Sequence, residues 1–206
     1  ALYRRTVITR LAGCPIDIGR FQYTRAYFVV LGFTNTWGLT VSEKEETIAV
    51  VGIGNSLLTD DGVGIHALER FADSDPDDDV ICIDGGTVGL ALLDRISNLE
   101  GLVVLDAMKL GHRPGTVTVL EGEAMDAHLR NQHGSVHEVG LSDLMDALRL
   151  RGDLPGQRAI IGIEPEDMGW GTWPTPVVAA SLPETVHEAQ KLVRRWRTAK
   201  PMDAVA

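Results

Sequence analysis

The 206-residue sequence predicts an α/β sandwich built on a mostly parallel sheet. Three observations predict it. Short continuous runs of β-branched and aliphatic residues recur along the chain, the mark of strands buried on both faces. Segments with helical apolar spacing fall between them, and strands that alternate with helices imply parallel crossovers. One run, residues 116–120 (TVTVL), instead alternates Thr with apolar side chains, as a half-exposed edge strand does.

In chain order, residues 47–53 (TIAVVGI) form the first buried strand, closed by the turn Gly52-Ile53-Gly54-Asn55. Asp60 and Asp61 precede a helix over 62–71, whose Val63, Ile65, Ala67, Leu68 and Phe71 partly fit one apolar face. Acidic residues suit a helix start because its unpaired N–H groups favour negative charge. Residues 73–79 (DSDPDDD) read as a solvated acidic loop. Residues 80–83 are the second strand, ending in Asp84-Gly85-Gly86-Thr87, and 90–96 read as a helix. Residues 101–105 (GLVVL) are the third buried strand, ending at Asp106. After the edge strand, 124–130 and 141–150 are helical, and 158–163 (RAIIGI) form a further strand. Residues 164–176 make a loop rich in Trp, Gly and Pro, and one long helix over 176–200 closes the domain.

Composition narrows the function. The chain is 44% hydrophobic and 23% charged, enough to bury a core in one ordinary domain. Its 29 acids against 19 Lys plus Arg give a net charge of -10. A general nucleic-acid binder needs the opposite balance, to displace counterions from phosphates. No run of about 20 apolar residues could span a membrane. Two cysteines, Cys14 and Cys82, supply neither a disulfide framework nor a Cys-based zinc site, which points to a reducing cytoplasm.

The totals hide a division. Seven of the eleven aromatic residues fall within 1–46. That segment also holds six of the 19 bases and four of the 29 acids, leaving 13 bases and 25 acids, a net of -12, in 47–206. No continuous h-region of a secretory signal lies near the start, and none follows Arg4-Arg5 as a twin-arginine signal requires. Residues 1–46 are expected to be a weakly ordered extension, with SEKEE (42–46) as linker, and 47–206 a single α/β domain.

In open α/β sheets the ligand site lies beyond the carboxyl ends of the strands. That rule selects Asn55, Asp60 and Asp61 after the first strand, Asp84 after the second and Asp106 after the third. The glycine turn is not a dinucleotide fingerprint: after Gly52-x-Gly54, Leu57 stands where the third glycine should be, and two aspartates that follow would repel a pyrophosphate. Of Asp60 and Asp61, one can cap the helix while the other serves as a ligand. Asp61 and Asp106 together with an imidazole would make a mixed oxygen/nitrogen metal site, suited to nickel, zinc, manganese or cadmium. Among six histidines, His66 and His187 fall within helices, and His112 and His128 in solvated stretches. His133 and His137 share the polar loop 131–140 (NQHGSVHEVG), and spacing does not choose between them. No nucleophile elbow and no H-E-x-x-H is present.

The blocks GIGNSLLTDDGVG (52–64), IDGGTVGLALL (from Ile83), LVVLDA (from Leu102) and SVHEVGLSDLMDALR (from Ser135) resemble, in this order, the nickel–iron hydrogenase maturation endopeptidases. The resemblance covers 47–200. It implies a three-layer sandwich around a twisted five-stranded sheet, and an enzyme that removes a C-terminal peptide from the nickel-loaded precursor of the hydrogenase large subunit. By position it implies a metal-binding and catalytic set of Asp61, Asp106 and His137, and so selects His137 over His133. The first of these is often Glu in the family; the Asp here keeps an oxygen ligand on a shorter arm. The resemblance also implies substrate contact at Asp84, Gly85, Gly86 and Thr87. The nickel would be supplied by the substrate, with cadmium or zinc able to substitute in vitro, so that the site reads nickel loading. Two other readings stand beside it: a non-catalytic nickel-binding maturation chaperone that uses the same three residues, and a different small-molecule hydrolase on a similar sheet, whose activity would not depend on His137.

Overall fold

A computed structural model describes residues 47–74, 80–87, 89–131 and 136–198, without the side chains of 131 and 136–139. The extension 1–46 and most of the acidic loop lie outside the described residues. Five strands form one sheet: β1 (Ile48–Ile53), β2 (Val80–Gly86), β3 (Gly101–Ala107), β4 (Val117–Glu121) and β5 (Gln157–Ile163), in the order β2-β1-β3-β5-β4. All neighbours are parallel except β4, which pairs antiparallel with β5 at the edge. Every residue of β1 is buried, as its unbroken apolar run requires. β4 is half-exposed, as its Thr alternation requires.

Alternation along the strands divides the core between the two faces. Ile48, Val50, Val103, Leu105 and Ile161 pack on one side against α1 (Val63–Asp73) and α5 (Leu182–Thr198). Ala49, Val51, Leu102, Val104 and Ile160 pack on the other, against α2 (Glu123–Asn131) and α3 (Val136–Arg151). The result is a three-layer α/β sandwich around a five-stranded sheet. No helix among the described residues is long and apolar enough to cross a membrane.

Four local readings need correction. The segment expected as one helix over 176–200 is two: α4 (Pro176–Ala179) and α5, with Ser181 between them. Pro183 is the cause, since it has no N–H to continue the ladder from α4 and its ring collides with the preceding turn. The Ser181 hydroxyl donates to the Val178 carbonyl at 2.7 Å and helps close the break. The segment 90–96 is a 3-10 helix, Leu90–Arg95, too short to settle into an α-helix between β2 and β3. β2 runs on through Gly86, because Ile53 pairs with Gly86 across a register irregularity after Gly52. The helix expected from 141 begins at Val136, so His137 lies on its first turn and not in a loop.

Candidate active site

The site is assembled at the carboxyl ends of β1 and β3. β1 ends at Ile53, and the chain then turns through Asn55 into a 3-10 helix, Thr59–Gly62, and on into α1. Two glycines let this segment press against the sheet. Gly54 sits at φ 138°, and a Cβ there would strike the Asp61 carbonyl. A Cβ at Gly64 would strike the carbonyl oxygens of both Ile53 and Leu105. The glycines of the first block therefore serve close backbone packing and not a phosphate cradle. They wedge the start of α1 between β1 and β3. Asp61, two residues before Val63, and Asp106, next after Leu105, are carried to the same end of the sheet, where the 3-10 helix packs on β3.

Both carboxylates are inside the protein: Asp61 is 5% exposed and Asp106 2%. Burial of a charged group is costly unless hydrogen bonds or a cation compensate it. The Asn55 backbone N–H donates to Asp61 Oδ2 at 3.1 Å, and the Ala107 N–H donates to Asp106 Oδ1 at 2.8 Å. Neither Asp60 nor Asp61 caps a helix: the N-cap positions of the 3-10 helix and of α1 are Leu58 and Gly62, and no side-chain cap bond forms. The expected helix cap is therefore not formed by either residue. Asp60 has a different task. Its Oδ2 accepts from the N–H groups of Glu166 and Asp167, each at 2.8 Å, and its Oδ1 accepts from the Thr175 N–H at 2.6 Å. Asp60 thus fastens the loop after β5 to the turn that carries Asp61.

His137 lies on the first turn of α3. The link from α3 to β5 is short, so Arg151 lies near the amino end of β5. Sixteen helical residues then span about 24 Å back along the strand direction. That length matches the span of the strand, and α3 packs through Leu141, Leu144, Met145 and Leu148 on the face that holds Leu102, Val104 and Met108. Asp106 shares that parity. The His137 side chain, and His133 altogether, lie outside the described residues. Among the described residues no three His, Cys, Asp or Glu side chains stand together as a metal site.

Asp84 is exposed within the extended β2, where its Oδ1 accepts from the Gly86 N–H at 2.9 Å. Gly85 and Gly86 are half-buried and Thr87 is exposed. The Gly54 N–H donates to the Gly86 carbonyl at 2.8 Å, so this strand end borders the Asp61 turn. Of the other histidines, His112 and His187 are exposed, whereas His128 is half-buried on α2. His66 is buried on α1, its ring 4.6 Å from that of Trp173. Sequence reasoning missed Asp60 as an anchor, because its partners lie more than 100 residues away. It also passed over Glu164, whose buried carboxylate accepts from the Leu110 and Gly111 N–H groups at 2.8 and 3.2 Å and fixes the loop after β3.

Comparison with known proteins agrees with this architecture. Residues 65–192 match the family model of the hydrogenase maturation proteases, HycI. The chain is 33% identical over 155 residues to the hydrogenase expression/formation protein HupD of Rhodobacter capsulatus, covering 74% of each chain. It is 32% identical over 149 residues to the hydrogenase 2 maturation protease of Escherichia coli, covering 71% of this chain and 90% of that one. Among solved structures it superposes on the hydrogenase maturating endopeptidase HybD of E. coli with TM-score 0.68 at 32% identity, over 72% of this chain and 93% of that one. On the [NiFe] hydrogenase maturation protease HybD of Thermococcus kodakarensis the TM-score is 0.62 at 26% identity, over 71% and 98%.

Proposed function

Because this chain belongs to the hydrogenase maturation protease family and is a hydrolase of that class, we propose that it removes a C-terminal peptide from the precursor of a nickel–iron hydrogenase large subunit once nickel has been loaded. The observation that carries the proposal is the pair of buried carboxylates, Asp61 and Asp106, delivered by β1 and β3 to one end of the sheet.

In this reading Asp61 and Asp106 supply oxygen donors and His137 an imidazole nitrogen, a set suited to a borderline divalent ion such as nickel. The nickel belongs to the substrate, where it can polarise the scissile carbonyl and acidify an attacking water. A cation offsets the cost of burying two carboxylates at one end of the sheet, so a precursor without nickel loses its strongest anchor. Asp84, Gly85, Gly86 and Thr87, bordering the Asp61 turn, contact the chain of the substrate.

The test is to incubate the protein with nickel-loaded precursor and weigh the large subunit by mass spectrometry. Loss of a C-terminal peptide is expected. A stable complex with no loss of mass would favour the chaperone reading, and indifference to the precursor would favour a small-molecule hydrolase.

A further inference from the structure

The loop after β5 carries two tryptophans whose side chains stand in water: Trp170 is 85% exposed and Trp173 56%. Residues 47–206 contain only four aromatic side chains, so two of the four are spent on this loop. Leu57, 55% exposed, lies on the turn that leads to Asp61. Leu90 and Val177, also exposed, follow the carboxyl-end segments of β2 and β5. Of the six exposed large hydrophobic residues among those described, only Leu150, at the end of α3, lies at the opposite end of the sheet. Single exposed apolar residues are ordinary, but a set confined to the end that holds the buried carboxylates marks a surface made to be covered.

The loop is also held in place before anything covers it. Besides the Asp60 bonds, the Thr59 hydroxyl donates to the Asp167 carbonyl at 2.5 Å, and the Gly171 N–H donates to the Leu57 carbonyl at 3.0 Å. Gly171 packs so closely on Thr59 that a Cβ there would strike the Thr59 methyl. Trp173 rests against the buried His66 ring. A preorganised aromatic surface loses little entropy when a partner docks, and tryptophans of this kind commonly dominate binding energy.

We propose that Trp170 and Trp173, with Leu57, form the docking surface for an apolar patch of the folded large-subunit precursor beside its cleavage site. This inference rests on the proposed function and adds to it the element that selects the folded protein. Continuity argues for this occupant: the tryptophan loop and the turn that carries Asp61 form one hydrogen-bonded unit, so a substrate bound at the carboxylates has this surface next to it.

The test compares the full-length protein with Trp170→Ala and with Trp170→Ala/Trp173→Ala in steady-state cleavage of nickel-loaded precursor. Trp170 is mostly in water, so its replacement leaves the fold intact, as circular dichroism checks. KM should rise about tenfold or more with kcat within about twofold, and Trp170→Phe should recover most of the loss. An unchanged KM in both variants, with cleavage intact, would overturn the docking surface and leave the proposed function standing. If the unmodified protein cleaves nothing, the proposed function falls and this inference with it. A dimer in sedimentation that Trp170→Ala dissolves would also overturn it, by assigning the surface to a second copy of the chain.

Discussion

Asp60 and Thr175 are joined across 115 residues of sequence: the Asp60 carboxylate accepts both the Thr175 backbone N–H, at 2.6 Å, and its hydroxyl, at 3.1 Å. Asp60 is fully buried, so these bonds form out of reach of water. Charge-assisted bonds of this kind are short and strong, and donors left unpaired by loss of the acceptor each carry a desolvation cost. Asp60→Ala should therefore lower stability by about 3 kcal/mol in urea unfolding. It should also raise the susceptibility of residues 164–175 to limited proteolysis.

Gly64 tests the packing that brings the two carboxylate-bearing segments together. Gly64→Ala drives a methyl group into backbone oxygens of β1 and β3, which cannot move aside as a side-chain tip can. A loss of about 1–3 kcal/mol or more is expected from overpacking. Gly86→Ala provides the contrast, because its added Cβ meets nothing within 4 Å and its cost, at φ 51°, is confined to the backbone.

Acid sensitivity is set in part by Asp126 on α2. Hydrogen bonds from the Arg158 guanidinium at 2.9 and 2.7 Å hold its carboxyl below the usual range, reinforced by the charges of Arg158, Arg149 and Arg130 and opposed by burial. A depressed folded-state pKa contributes stability above the unfolded value, near 3.9, that is lost as pH falls through the folded value. Asp126→Asn should thus cost about 1–3 kcal/mol at pH 7. The gap between variant and parent should narrow below about pH 4 in thermal melts.

The candidate ligands should separate catalysis from folding. Asp61→Asn, Asp106→Asn and His137→Ala are each expected to lower the rate of precursor cleavage by roughly 100-fold or more, the scale of losing a positioned catalytic group. Unfolding midpoints close to those of the parent would show that the loss is chemical. Full activity in Asp106→Asn would remove Asp106 from the site.

The strands were legible because burial on both faces demands unbroken apolar runs such as AVVGI and GLVVL, and the edge strand because half-exposure demands alternation. Asp106 was legible for the same reason, as the polar residue that ends such a run, whereas the strand-end rule offered Asp61 only together with Asn55 and Asp60. The start of α3 was not, because Gly134, Gly140 and the polar residues between them disguise helical periodicity. The break between α4 and α5 was available in Pro183 but was hidden by strong helical spacing on either side. The role of Asp60 could not be read at all, since its partners are backbone groups of a distant loop that no local pattern announces. Choosing His137 over His133 needed the resemblance, because the two share one polar stretch and spacing does not separate them.

The most direct measurement presents the protein with nickel-loaded and nickel-free forms of the same large-subunit precursor and follows the mass of each over time. If Asp61, Asp106 and His137 read the metal, only the loaded precursor loses its C-terminal peptide, and the nickel-free form remains at full mass. Equal cleavage of the two forms would contradict that account.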